Sequence, residues 1–238
     1  MSEKIYDIPL WDAFNEDCEC PLCVVEKKAE DQFIDALFTE MVMDVRLAPE
    51  LVDDYFFCKE HFEKLYRYPD KLGLAIITDR ILIQRSERLK NPTPSLRPKS
   101  SFPFKKKASL KVKDSTSSCL LCKKLIIDMD NYTKTMIKLW LKEDKFRTKY
   151  FTCKGFCLKH YDMLIFYIED MVKNEDKKDK FMAVTTQLQG DNIDRMHEEL
   201  LWFINKYDYR YQTEPWKTSK DALIRTLQKL VGNYYSKL

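Results

Sequence analysis

The sequence is poor in glycine, in long apolar runs and in net charge, and each shortage argues against a class of protein. Four glycines among 238 residues argue against a phosphate-cradling loop and against a turn-rich β architecture. No apolar run approaches the roughly 20 residues that a membrane-spanning helix needs, and the N-terminus lacks a signal-peptide pattern. A net charge of +3 gives the whole surface no general attraction to a polyanion. We therefore expect a cytoplasmic protein without membrane insertion.

Cysteine and histidine, in contrast, form a repeated pattern. A CxxC motif at Cys20 and Cys23 is followed by a CxxH motif at Cys58 and His61, and both motifs recur 99 residues later. A cytoplasmic chain keeps its cysteines reduced, which favours metal ligation over disulfides. The spacing predicts two four-ligand sets: Cys20, Cys23, Cys58 and His61 in the first copy, and Cys119, Cys122, Cys157 and His160 in the second.

Three thiolates and one imidazole are the donors of a structural zinc site. Zinc accepts tetrahedral sulfur and nitrogen ligation without redox change. Each CxxC precedes a predicted helix, whose N-terminal dipole stabilises thiolates. We expect the CxxH of the same copy to complete each site, which gives two structural Zn²⁺ ions. Unligated buried cysteines and an iron–sulfur cluster are the alternatives. Cys18 and Cys153 do not correspond under the 99-residue shift, and we assign them no role.

Apolar residues at helical spacing extend the repeat beyond the ligands. The same four-residue steps occur in both copies: Phe33, Leu37 and Met41 in the first, and Tyr132, Met136 and Trp140 in the second. This spacing predicts a helix from Cys23 to about Arg46, which Pro49 ends. Two further helices are predicted, from Phe57 to Tyr66 and from about Leu72 to Leu89. Pro9 should interrupt any earlier helix.

The C-terminal part is predicted to be helical as well. Gly190 either bends one long helix or separates two, and the sequence does not decide between them. Thr218 and Asp221 fit an N-terminal capping box for a final helix that ends before Gly232. Because no segment alternates apolar and polar residues, we predict an all-α fold of two duplicated zinc-stapled helical halves packed together, with C-terminal helices.

The middle of the chain has the composition of a linker. Ten basic residues face a single acidic one between residues 85 and 113, and four prolines lie among them. We therefore divide the chain into a first repeat (1–89), a basic Pro/Ser-rich linker (90–117), a second repeat (118–179) and C-terminal helices (180–238). The linker is either a solvated connection or an arm that binds nucleic acid through Lys105, Lys106 and Lys107.

Catalytic patterns are weak by comparison. His197 precedes two glutamates but lacks the second histidine of an HExxH motif, and no nucleophile stands beside a base. A CxxC at a helix N-terminus also fits a thiol–disulfide redox pair, but such pairs normally lie in a βαβ setting. The aromatic and polar stretch from Tyr207 to Trp216 could form a recognition surface.

Two parts of the sequence carry a family resemblance. CPLC at Cys20 to Cys23 is followed by FCxxH at Phe57 to His61, and KYDYRYQTEPW begins at Lys206, before a closing helix that ends in LVG. With these motifs the chain resembles an uncharacterised bacterial family of domain-of-unknown-function proteins. The second copy departs to CLLC, which keeps both ligand positions. The resemblance implies no activity.

The leading interpretation is therefore a structural zinc-binding scaffold or adaptor that binds a protein partner, with no catalytic activity identified. A nucleic-acid-binding regulator that uses the basic linker is the first alternative. A CxxC redox protein is the second.

Overall fold

Helices make up most of the described structure. In this computed structural model, the described residues are 4–42, 57–90 and 119–232. They form nine α-helices and no strand within those ranges: α1 (Lys4–Asn15), α2 (Pro21–Ala36), α3 (Lys59–Arg67), α4 (Lys71–Lys90), α5 (Leu120–Lys142), α6 (Asp144–Thr152), α7 (Leu158–Met171), α8 (Glu175–Asn205) and α9 (Ala222–Val231). A π-helical turn, Leu37–Met41, follows α2, and a 3₁₀ turn, Tyr209–Tyr211, precedes α9. The all-α prediction is confirmed.

The duplication is visible in the helices that follow the cysteine motifs. Helices α2 and α5 begin 99 residues apart, and so do α3 and α7. The residues that cap α3 and α7 have nearly the same backbone conformation, with φ −68° and ψ 167° at Cys58 and φ −68° and ψ 158° at Cys157. The starts of the helices that follow the cysteine motifs are therefore duplicated in conformation as well as in sequence.

The chain forms two compact units, and neither consists of one repeat. One unit combines Met1–Lys28 with Asp128–Leu238, and we call it the terminal unit. The other is Ala29–Ile127, which we call the central unit. The terminal unit therefore holds the first CxxC and the second CxxH, whereas the central unit holds the first CxxH and the second CxxC. The boundaries at residues 89, 117 and 179 that were drawn from the sequence stay predictions.

Helix α1 overturns the prediction that Pro9 interrupts an early helix. The helix runs through Pro9 from Lys4 to Asn15. A proline inside a helix costs about 3 kcal/mol, because it removes a hydrogen bond and crowds the preceding turn. Leu10 and Phe14 are both buried, and full burial of each such side chain contributes about 1.5–3 kcal/mol. The packing of this face is sufficient to offset the proline.

The other helix predictions have mixed outcomes. Helices α3 and α4 confirm the two predicted after Phe57, and Gly190 lies inside the unbroken helix α8. The capping box is wrong, because α9 begins after Asp221, which is itself the N-cap residue. After Cys23 the α-helix ends at Ala36 and gives way to the π-helical turn. The predicted stop at Pro49 and the linker from residue 91 onward lie outside the described residues.

Candidate metal centres

The eight predicted ligands come together as two clusters, but not in the predicted grouping. Site A, in the terminal unit, consists of Cys20, Cys23, Cys157 and His160. Site B, in the central unit, consists of Cys58, His61, Cys119 and Cys122. Within each site the donor atoms all lie within 4.8 Å of one another. Each site takes its CxxC from one repeat and its CxxH from the other, so the prediction that each copy completes its own site is wrong.

Aromatic packing of α1 explains why Cys20 meets Cys157. The Phe14 ring lies 4.9 Å from that of Phe146 and 6.5 Å from that of Phe156, measured between ring centroids. It also stacks on Tyr150. Phe14 lies shortly before the first CxxC, and Phe156 directly precedes Cys157. This cluster therefore brings the two ligand segments of site A together.

In site A one imidazole nitrogen faces all three sulfurs. Nδ1 of His160 is 3.5 Å from the Cys20 sulfur, 3.4 Å from that of Cys23 and 3.3 Å from that of Cys157. The sulfurs of Cys23 and Cys157 are 3.5 Å apart. All four residues are buried. The four donors thus surround a common centre that a single ion can occupy.

Site B repeats this arrangement. Nδ1 of His61 is 3.0 Å from the Cys58 sulfur, 3.2 Å from that of Cys119 and 3.3 Å from that of Cys122. The sulfurs of Cys58 and Cys122 are 3.9 Å apart. Here Cys122 is partly exposed, whereas its three partners are buried. The two sites therefore share donor chemistry and differ in access to solvent.

The thiols of each site have divergent pKa values. In site A, burial raises the pKa of Cys20, and the hydrogen bond with Cys157 raises that of Cys23. Hydrogen bonds from these two thiols lower the pKa of Cys157. In site B, burial raises the pKa of Cys119, but hydrogen bonds with His61 and with the backbone outweigh it and lower the pKa to about 6. Burial raises the pKa of Cys122. Three thiolates so close together need a cation to remain charged.

A glutamate carboxylate lies near the second ring nitrogen, Nε2, of each cluster histidine. Nε2 of His61 is 3.1 Å from Oε1 of Glu30, which also accepts from Lys64. Burial raises the pKa of Glu30, but these two hydrogen bonds lower it to about 2. Nε2 of His160 is 3.4 Å from Oε2 of Glu26, although no described atom makes a well-aligned hydrogen bond to it. Such carboxylates orient a ligand histidine so that its other nitrogen faces the metal.

Sequence reasoning missed Glu26 and Glu30. Both belong to α2 and lie four residues apart. The corresponding positions of the second copy are Leu125 and Met129, so the repeat gave no signal for them. The one available signal was chemical, since a ligand histidine usually has a hydrogen-bond acceptor on its second nitrogen.

Helices α8 and α9 hold the two ligand segments of site A. Nζ of Lys229 donates to the carbonyls of Glu19 and Lys154, which lie on the two ligand segments. The side-chain amide of Gln189 bonds both the N–H and the C=O of Phe156, each at 2.9 Å. Both contacts therefore fix backbone next to a ligand cysteine.

Ion pairs also hold the segment that precedes Cys20. The buried carboxylate of Glu19 pairs with Arg195 at 2.6 Å and with Arg225 at 3.1 Å. Arg225 also pairs with Glu199 at 2.5 Å. These residues line a polar cleft of about 680 Å³ in the terminal unit. Because its cations are paired with its own carboxylates, the cleft serves to position the segment before Cys20.

The remaining predicted residues lie outside both clusters. Burial raises the pKa of Cys18 to about 11 and that of Cys153 to about 12. His197 is exposed on α8. Lys105, Lys106 and Lys107 lie outside the described residues, so binding of nucleic acid through them stays a prediction.

The aromatic stretch after α8 is an ordered connection with exposed rings. Nζ of Lys206 is buried and donates to the carbonyls of Tyr211, Gln212 and Glu214. Tyr207 and Tyr209, in contrast, are 73% and 82% exposed. Residues 206–216, which we call the aromatic connector, therefore combine a fixed backbone with exposed tyrosines.

Fold and sites together define an all-helical protein with two clusters of three cysteines and one histidine. The chain belongs to a family of unknown function (DUF6062), whose model matches residues 1–237. No curated protein and no solved structure matched the chain. Among the helices that the structure describes, none is both long enough and apolar enough to cross a membrane.

Proposed function

We propose that the chain is a structural zinc protein, which binds one Zn²⁺ at site A and one at site B and serves as a scaffold for a protein partner. The observation that carries this proposal is the assembly of eight donors into two four-donor sets. Four protein donors satisfy tetrahedral zinc and leave no position for a reacting water. The ions would therefore stabilise the fold, and the proposal includes no catalytic activity.

The donor distances lie within about 0.5 Å of those of a tetrahedral zinc site. Zn–S bonds of about 2.3 Å and Zn–N bonds of about 2.0–2.1 Å give a tetrahedron whose donors are about 3.5–3.8 Å apart. The donor pairs described above span 3.3–3.5 Å in site A and 3.0–3.9 Å in site B. Three thiolates select a thiophilic ion and exclude magnesium or calcium, which prefer oxygen ligands.

The aromatic connector supports the proposal of a protein partner. Tyrosine and arginine are enriched at protein interfaces, where a preorganised surface loses little entropy on binding. Tyr207, Tyr209 and Arg210 are exposed on this fixed segment. Tyr207 contacts Phe203 and Arg210 pairs with Asp208, yet all three side chains remain exposed to solvent, where another chain can reach them.

Elemental analysis of protein purified without added metal tests the zinc proposal. We expect about two zinc ions per chain, because each site supplies a complete donor set. Removal of the zinc with a chelator should reduce the helical signal in circular dichroism. A metal-free chain that is folded and helical would contradict the proposal.

A photo-crosslinking residue in place of Tyr209 tests the partner in cells. We expect covalent adducts with one or a few proteins, and their loss when Tyr207→Ala is added. Adducts dominated by nucleic acid would contradict a protein partner at this surface. A crosslinker at Lys180, which is exposed on α8, is the matched control.

A further inference from the structure

We propose that Cys122 is an oxidation site, at which a peroxide forms a reversible disulfide and releases the zinc of site B while site A stays loaded. This inference rests on the proposed zinc occupancy of both sites. It assigns to site B a chemical response that its donor set alone does not imply.

Access to the sulfur distinguishes Cys122 from the other ligand cysteines. An oxidant must touch a sulfur atom before it can react. The five other ligand cysteines are buried, with exposed fractions that range from 0% at Cys157 to 6% at Cys23, whereas Cys122 is partly exposed. Cys23 is the position in the first repeat that corresponds to Cys122. The same position of the CxxC motif is therefore buried in site A and partly exposed to solvent in site B.

The chemistry needs a thiolate, and zinc ligation supplies it. A zinc-bound cysteine is deprotonated and keeps nucleophilic character. Attack of the Cys122 sulfur on a peroxide breaks the O–O bond. The sulfur becomes a sulfenic acid, and the departing hydroxide is protonated to water. The peroxide is reduced and the sulfur is oxidised by two electrons.

A second ligand sulfur completes the reaction. The Cys58 sulfur lies 3.9 Å from that of Cys122, and Cys119 belongs to the same CxxC. Either thiolate can attack the sulfenic sulfur and displace hydroxide, which leaves as a second water. A disulfide needs a sulfur separation of about 2.05 Å, so this step requires a movement of about 2 Å. Zinc then loses two of its four donors and is released.

Site A is protected from the same reaction. Its sulfurs are buried, and the backbone of Gly232 at the end of α9 lies directly over two of them. A Cβ at Gly232 would lie 3.7 Å from the Cys157 sulfur and 3.8 Å from that of Cys23. This segment therefore contributes to the burial that keeps an oxidant from these sulfurs. Oxidation of site A should therefore be slower than oxidation of site B.

The free cysteines have to be separated from the ligands in any test. Cys18 and Cys153 are partly exposed and lie outside both sites. Serine at both positions removes their thiols and leaves both donor sets complete. The experiment therefore uses the full chain with Cys18→Ser and Cys153→Ser, loaded with zinc, as the reference protein.

Zinc release under hydrogen peroxide tests the proposal, with a zinc-binding dye as the readout. The zinc content is measured first. We expect one zinc per chain to leave at least tenfold faster than the other, and dithiothreitol with added zinc to restore it. Peptide mass spectrometry should locate the early disulfide at Cys122 with Cys58 or Cys119.

A matched pair of variants tests whether the sulfur of Cys122 is the one that the peroxide oxidises. Cys122→His keeps four donors in site B without the sulfur of this partly exposed residue, and we expect it to abolish the fast phase. Cys23→His makes the same change in site A, and we expect the fast phase to persist. If Cys122→His fails to bind zinc, the mapped disulfide of the reference protein decides the question.

Equal release rates from both sites, or an early disulfide confined to site A, would overturn the proposal. A reference protein without two zinc ions at the start would instead contradict the proposed function. The two failures are therefore distinguishable, because zinc content is measured before the peroxide is added.

Discussion

Site A and site B have the same donors and different surroundings. In both, a CxxC at the start of one helix meets a CxxH at the start of another, and Nδ1 of the histidine faces three sulfurs. Site A is also held by Gln189 and Lys229 and is covered by Gly232. Both sites have a carboxylate paired with a lysine behind the histidine, Glu26 with Lys159 in site A and Glu30 with Lys64 in site B.

The comparison separates features that occur in both repeats from contacts that α8 and α9 make in the terminal unit. The ligand motifs and the helices that carry them occur twice. The contacts of α8 and α9 with the ligand segments occur only in the terminal unit, as far as the described residues go. Loss of donors should therefore affect the two sites alike, whereas changes in α8 and α9 should affect site A alone.

Removal of one ligand should have the largest effect. Cys157→Ala leaves site A with three donors, and structural zinc contributes about 10–16 kcal/mol of apparent binding free energy in small domains. We expect the loss of one zinc per chain and a large loss of helical signal by circular dichroism. Cys122→Ala should do the same at site B. Full helicity after the loss of zinc in either variant would show that the metal does not hold that unit.

Replacement of Lys229 should have the second largest effect, confined to site A. Lys229→Met leaves the buried carbonyls of Glu19 and Lys154 without their donor, and each buried acceptor left unsatisfied costs about 1–3 kcal/mol. Denaturant unfolding should show this loss. Lys64→Met is the control at site B, where the lysine is exposed and a loss of no more than about 1 kcal/mol is expected. Equal losses of unfolding free energy in the two variants would contradict the difference between the sites.

The carboxylates behind the histidines should have a smaller effect, measured as zinc affinity. Glu30→Gln weakens the hydrogen bond that orients His61, and changes of this kind lower metal affinity by about 10–100-fold. Glu26→Gln should lower it less, because its contact with His160 is longer and poorly aligned. Chelator competition measures both. A larger effect of Glu26→Gln would contradict the geometry.

Substitution of Gly232 should have the smallest effect on zinc binding. Its φ of +85° and ψ of −154° lie in a backbone region that is essentially restricted to glycine, and a side chain there costs about 1–3 kcal/mol. A Cβ there meets the two sulfurs only at ordinary contact distance, so no clash adds to this cost. Gly232→Ala should therefore lower the thermal midpoint by a few degrees, with zinc content unchanged. A loss of zinc would show that the segment over site A has no room for a methyl group.

Much of the fold could be predicted from the sequence, because helical periodicity and the 99-residue shift both depend on local order. The eight residues of the two clusters were visible for the same reason. The grouping of these residues was not visible, since Cys58 and Cys157 belong to identical CxxH motifs and either can partner the first CxxC. The decisive contacts join Phe14 to Phe146 and Phe156, and no local pattern links residues so far apart.

Two other features were missed from the sequence for the same reason, because they depend on contacts between distant residues. Pro9 is a strong local signal, but the burial of Leu10 and Phe14 outweighs it. Glu26 and Glu30 occur among other charged residues of α2, and only the folded chain shows which carboxylates meet a histidine. Tertiary packing decides such cases, and a single sequence does not display it.

Zinc content of two double variants tests the exchange of motifs between the repeats most directly. Cys23→Ala with Cys157→Ala removes two donors of site A and none of site B, so we predict about one zinc per chain. Cys23→Ala with Cys58→Ala removes one donor from each site, so we predict almost none. The reverse result, one zinc in the second variant and none in the first, would show that each repeat completes its own site and would contradict this account.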